Sequence, residues 1–116
     1  MNTTQIVKSK TVVDYTVVKN LIFKDVTISW AAKGLYVHLM SLPPNWVIFR
    51  RVLSENSKDG YQKTNTAFKE LIEAGYVLSV EMRNAKGHFK GYNYIIYDEP
   101  IKDERLLAED RAQFTM

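Results

Sequence analysis

Between Gln62 and Lys69 the chain sets Gln62, Lys63, Asn65, Thr66 and Lys69, two amides, a hydroxyl and two cations with no carboxylate among them. Side chains of these types hydrogen-bond base edges and neutralise phosphates. Interleaved with them, Thr64, Ala67, Phe68, Leu71 and Gly75 recur at i, i+3, i+4, i+7 and i+11, the narrow stripe that a helix turns toward a core. The spacing predicts a helix over about Gly60 to Ala74 with one face buried and the other chemically suited to nucleic acid. The plainer reading is that any solvated helix face is polar, and composition alone does not separate the two.

Other cations fall where they could support the same chemistry. Arg50 and Arg51 open an expected short helix, where backbone amides already favour anions, so a phosphate clamp and a merely solvated helix start are both open. Lys58 lies in the turn that follows, and Tyr61 at the mouth of the long helix could pack on a sugar or a thymine methyl. Lys86, His88 and Lys90 alternate in a glycine-flanked tip, where they could touch backbone or minor groove or simply be solvated.

Catalytic chemistry finds little support. His38 and His88 are the only imidazoles, and His38 falls on an expected inward stripe, so a satisfied core histidine is a better reading than a metal ligand. Glu55 with Asp59, Glu70 with Glu73, and Asp98 with Glu99 are carboxylate pairs at local spacing, typical of caps and solvated faces. There is no phosphate-binding glycine loop and no nucleophile motif. The expectation is a protein that is not an enzyme, with no cofactor and no metal.

The elements that must position these residues are marked by their punctuation. Residues 1–14 read as a loose arm, and Tyr15-Thr16-Val17-Val18 as a short strand. Ser29 is a good N-cap for a helix with an inward stripe of Ala31, Leu35, His38, Leu39 and Leu42, stopped by Pro43-Pro44. Asn45 to Phe49 is a connection with apolar plugs, a second helix runs from about Arg50 to Asn56, and Ser57-Lys58-Asp59-Gly60 turns into the third. Of the large aromatics, Trp30, Trp46, Phe49 and most tyrosines could serve as stacking platforms but fit inward positions first.

After Gly75 the period changes from 3.6 to 2. Tyr76, Leu78, Val80 and Met82 alternate with Val77, Ser79, Glu81 and Arg83, and the pattern resumes at Tyr92, Tyr94 and Ile96, which predicts a hairpin. Three helices followed by a hairpin define an α+β chain of the winged helix-turn-helix type, a three-helix core plus a β-hairpin wing. We expect that unit over residues 15–98 and an acidic tail or helix over residues 99–116, in which Leu106 and Leu107 could serve a homodimer.

Composition is consistent with this division. At 116 residues and 46% apolar the chain suits a single domain, and the absence of cysteine excludes disulfides and thiolate metal sites. With no signal-peptide run and no membrane-length apolar stretch, the expected location is the cytoplasm, with no membrane partner. Residues 1–97 carry thirteen Lys and Arg against seven Asp and Glu, a balance of +6, whereas residues 98–116 carry three against six, a balance of −3. A basic body suits a phosphate partner, though +6 is modest.

Five segments in this order, Ser29-Trp30-Ala31-Ala32-Lys33-Gly34-Leu35, Leu39-Met40-Ser41-Leu42-Pro43-Pro44-Asn45-Trp46, Ser57-Lys58-Asp59-Gly60, Leu71-Ile72-Glu73-Ala74-Gly75-Tyr76 and Gly87-His88-Phe89-Lys90-Gly91-Tyr92, resemble the amino-terminal winged-helix domain of replication proteins from phages and plasmids of Gram-positive bacteria. The resemblance covers about residues 15–100. It implies double-stranded DNA as the partner, in replication initiation or operator recognition, with replication proteins as further partners. Relatives of this kind tend to carry a proline before Asn20, where this chain has Lys19. A transcriptional regulator, or a winged helix that binds protein in place of DNA, shares the same fold.

Overall fold

The computed structural model describes residues 14–43 and 49–114. In chain order the elements are α1 (Leu21–Lys24), α2 (Trp30–Met40), α3 (Arg50–Leu53), a 3-10 turn (Ser54–Asn56), α4 (Gly60–Ala74), β1 (Val77–Arg83), β2 (Phe89–Ile96) and α5 (Glu104–Phe114). Among the described residues this is an α+β arrangement of five helices and one two-stranded antiparallel sheet, compatible with a winged helix. The expected arm and most of the expected connection, with Trp46, lie outside the described residues.

The framework is α4 and the hairpin it feeds. Thr64, Ala67, Phe68 and Leu71 are buried along one side of α4, as their spacing requires. The helix ends where Gly75 takes the left-handed conformation (φ +92°). There the Gly75 amide donates to the Ile72 carbonyl at 3.2 Å and the Tyr76 amide to the Leu71 carbonyl at 3.0 Å. This pairing satisfies the last carbonyls and turns the chain into β1. The Gly75 carbonyl in turn accepts from the Ile101 amide at 2.8 Å, so the chain returns to this corner after the hairpin. A Cβ at position 75 would stand 2.6 Å from the Ile101 carbonyl oxygen.

A second helix locks onto α4 by a cap. The Ser29 hydroxyl accepts from the Ala32 amide at 3.1 Å, while Glu70 on α4 accepts from the Ser29 amide at 2.9 Å and from its hydroxyl at 2.6 Å. The start of α2 is therefore held by a carboxylate from the helix it packs against. Its buried side chains are Ala32, Lys33, Tyr36 and Leu39; of the expected stripe, Leu39 is buried and Leu35 and Leu42 pack half-buried against the core, whereas Ala31 is exposed. The helix is apolar on most sides, so periodicity does not fix which residues face inward. Tyr36 wins because its ring meets Tyr76 edge-on at 5.4 Å and its hydroxyl donates to the Tyr97 carbonyl at 2.6 Å. Lys33 is buried with its ammonium donating to the Phe23 carbonyl and lying over Trp30, 4.7 Å from the ring centre.

The expected strand at Tyr15–Val18 is absent. No strand lies beside it among the described residues, and Tyr15 and Val17 are exposed. β-branched residues favour a strand only where a neighbour supplies ladder and packing. The hairpin pairs Val77 with Ile96 through Met82 with Gly91, with an irregularity at Met82/Arg83. At its tip the Asn84 side chain accepts from the amides of Lys86 and His88, both at 2.9 Å. α5 rests on β1, and Tyr97 donates its hydroxyl to Asp110 of that helix. Burial, then the bond to that carboxylate, push the Tyr97 phenol up to about 12.

A candidate nucleic-acid interface

The outer side of α4 exposes Gln62, Lys63, Thr66 and Lys69, and Lys58 is exposed in the turn before it. The inward packing of Phe68 and Leu71 fixes their direction, since on a helix these positions alternate with the buried stripe. Asn65 is different. Half-buried, it accepts a 2.8 Å hydrogen bond from Arg50 through its side-chain oxygen.

Arg50 is likewise turned inward. Its Nε donates to the Tyr94 hydroxyl at 3.2 Å, and its guanidinium lies 4.5 Å from the Phe68 ring centre and 5.5 Å from that of Tyr94. It ties α3 to both α4 and β2, a bracket made through its Nε and one Nη. Arg51, by contrast, is exposed and stands 5.2 Å over the Tyr61 ring. Lys86, His88 and Lys90 are exposed at and beside the hairpin tip.

Of the sequence-predicted residues, Arg50, Arg51, Tyr61 and Lys90 line one groove of about 610 Å³ between the start of α4 and β2. Gln62, Lys63, Thr66 and Lys69 face out from α4, and Lys58, Lys86 and His88 sit on the turn and the tip, outside that groove. Among the described residues no acidic side chain lines it.

The same groove holds exposed aromatic rings. Phe49, Phe89 and Tyr92 line it and are half or more exposed, at 63%, 50% and 50%. Trp30 is also exposed, at 81%, so the expectation that the aromatics serve the core first holds for Tyr36 and Tyr76 but fails for Trp30, Phe49 and Tyr92. For Phe89 and Tyr92 the hairpin is the reason: a sheet of two strands covers few of its own side chains, and the core is met by the first part of β1 and by Tyr94 and Ile96 of β2. A signal was present in the clustering of Phe89 and Tyr92 beside the glycines and lysines of a tip.

His38 is not the satisfied histidine expected. Its Nε2 is buried with no hydrogen-bond partner among the described residues, beside a cleft of about 320 Å³ between α2 and α4. Near the far end of α4, Asp25 accepts from the Thr27 hydroxyl and amide and from the Tyr76 hydroxyl at 2.8 Å, and these bonds hold its carboxyl below the usual range. Burial, then the bond to Asp25, push the Tyr76 phenol up to about 12. Among the described residues no group of three or more His, Cys, Asp or Glu could hold a metal ion, and no helix is long and apolar enough to cross a membrane. Comparison of the chain with known proteins finds no matching family, no matching curated protein and no matching solved structure.

Proposed function

We propose that this chain binds double-stranded DNA in a sequence-specific manner, with α4 entering the major groove and the hairpin following the adjacent strand as a wing. The observation that carries the reading is the α4 face bearing Gln62, Lys63, Thr66 and Lys69, exposed and flanked by the exposed cations Lys58, Lys86 and Lys90. Gln62 is the amide able to make a bidentate contact with adenine, a pairing worth about 1–3 kcal/mol of base discrimination. Asn65, with its oxygen given to Arg50, orients the helix start more than it reads bases. The resemblance to replication-protein domains suggests origin or operator recognition in a phage or plasmid as the setting, with a transcriptional role as its near alternative.

Selection of bound sites from a random duplex library tests this directly. Enrichment of one motif, lost in Gln62→Ala and Thr66→Ala but kept in Lys86→Ala, supports α4 as the reading element. Recovery of unenriched sequence at all salt concentrations removes specific recognition.

A second reading, a winged helix that binds protein, is favoured by Val26 and Trp30, apolar side chains 91% and 81% exposed, before and at the start of α2. Under it, replacing Trp30 abolishes partner capture and leaves duplex binding unchanged.

A further inference from the structure

We infer that the groove between the start of α4 and the hairpin takes an unpaired DNA strand, its bases stacking on the exposed rings and its phosphates meeting Arg51 and Lys90. The inference rests on the reading of this part of the surface as DNA-binding and adds to it a second form of the ligand. The rings form a continuous path outward from the core. Phe68 meets Tyr94 at 4.8 Å between centroids, Tyr94 meets Tyr92 at 6.0 Å, and Tyr92 meets Phe89 at 5.2 Å. Its inner end is buried and its outer end is open, since Phe68 has no exposed surface whereas Tyr92 and Phe89 are half exposed.

An undistorted duplex offers such rings no base face to stack on. Its base faces are covered by their neighbours, and what it offers a protein is edges, sugars and phosphates. Unpaired bases offer the faces, and stacking on an aromatic side chain tolerates any base. Charge selects the same ligand: Arg51 of α3 and Lys90 of β2 line the groove, Arg50 lines it over Phe68 and Tyr94, and among the described residues no carboxylate does. An apolar peptide would gain nothing from those cations, and an acidic peptide nothing from four exposed rings. The groove, at about 610 Å³, has room for a few nucleotides and not for a second folded element.

The ring path also has a rigid foundation. Arg50 is pinned over Phe68 and Tyr94 by its bonds to Asn65 and the Tyr94 hydroxyl, so the floor is ordered before any ligand arrives.

The experiment titrates the full chain into a labelled oligothymidylate of about 20 nucleotides, a matched oligouridylate and a random duplex, at about 50 mM salt. Binding of the oligothymidylate, weakened about 5-fold or more in Phe89→Ala and equally in Phe89→Leu, with duplex binding within about 2-fold of wild type, supports the inference. Phe89→Leu keeps an apolar side chain without the ring, and melting of both variants shows that the fold is intact. Retention of oligothymidylate affinity in Phe89→Leu and Tyr92→Leu overturns it, as does equal or tighter binding of the uridylate. Duplex binding without oligothymidylate binding sinks this inference and leaves the proposed function standing. Oligothymidylate binding without duplex binding does the reverse.

Discussion

Arg50 and Arg51 are neighbours in sequence and opposites in use. Arg50 brackets three elements from within, so Arg50→Ala should lower stability by about 1–3 kcal/mol, because the half-buried Asn65 oxygen and Tyr94 hydroxyl lose a charged partner. Arg50→Lys should not restore it, since an ammonium cannot reproduce the planar fork that spans both partners. Arg51→Ala should leave stability within about 0.5 kcal/mol and weaken DNA binding instead. Urea unfolding and DNA titration of the three variants check the division. The tyrosines add a pH signature. Tyr76 and Tyr97 are held protonated to about 12, above the ordinary value of 10.0, so their contribution to stability is complete below pH 10 and is lost as pH rises toward 12. Melting temperature should fall across that window, and Tyr76→Phe should flatten the fall; a melting curve unchanged between pH 10 and 12 would contradict the burial of both phenols.

At the scale of elements, α2 and α4 are joined by one cap. Ser29→Ala and Glu70→Ala should each cost about 1 kcal/mol, and the double variant should cost less than their sum because both break the same bonds. Thermal melts of the three proteins test the coupling. Half of this junction was legible in the sequence: Ser29 is an N-cap by type and position, and α4 follows from a clean stripe ending in glycine. The partner of the cap was not, because Glu70 lies 41 residues away and nothing local selects it. A separation of 44 residues likewise hid the bracket of Arg50 with Tyr94. α2 misled for a different reason, since a helix apolar on most sides carries no phase. Tyr15–Val18 misled because strand propensity is silent about whether a partner strand exists.

For the molecule as a whole, the separation of charge is the property that bears on function. The basic balance of residues 1–97 faces an acidic end segment, part of which is drawn back onto the body by the contacts of Lys19 with Asp98 and Glu99, at 3.2 and 3.0 Å. These pairs are exposed and contribute little to stability. Duplex binding should follow a slope of roughly −4 to −5 in log K against log salt, as for four to six phosphate contacts, and Lys69→Ala should reduce the slope by about 1. Affinity measured across a salt series checks both, and a flat dependence would remove phosphate contacts from the account.

Gly75 sets a limit of another kind, on how this chain can vary by descent. Its backbone conformation disfavours every side chain, and the Ile101 carbonyl occupies the space where even the smallest would begin. Asparagine, which elsewhere substitutes for glycine in left-handed turns, meets the same obstruction. Gly34, inside α2 with open space around an added Cβ, carries no such restriction. Lineages of this protein are therefore free to drift at one glycine and bound at the other, and a change at position 75 can become fixed only after the segment around Ile101 has moved away.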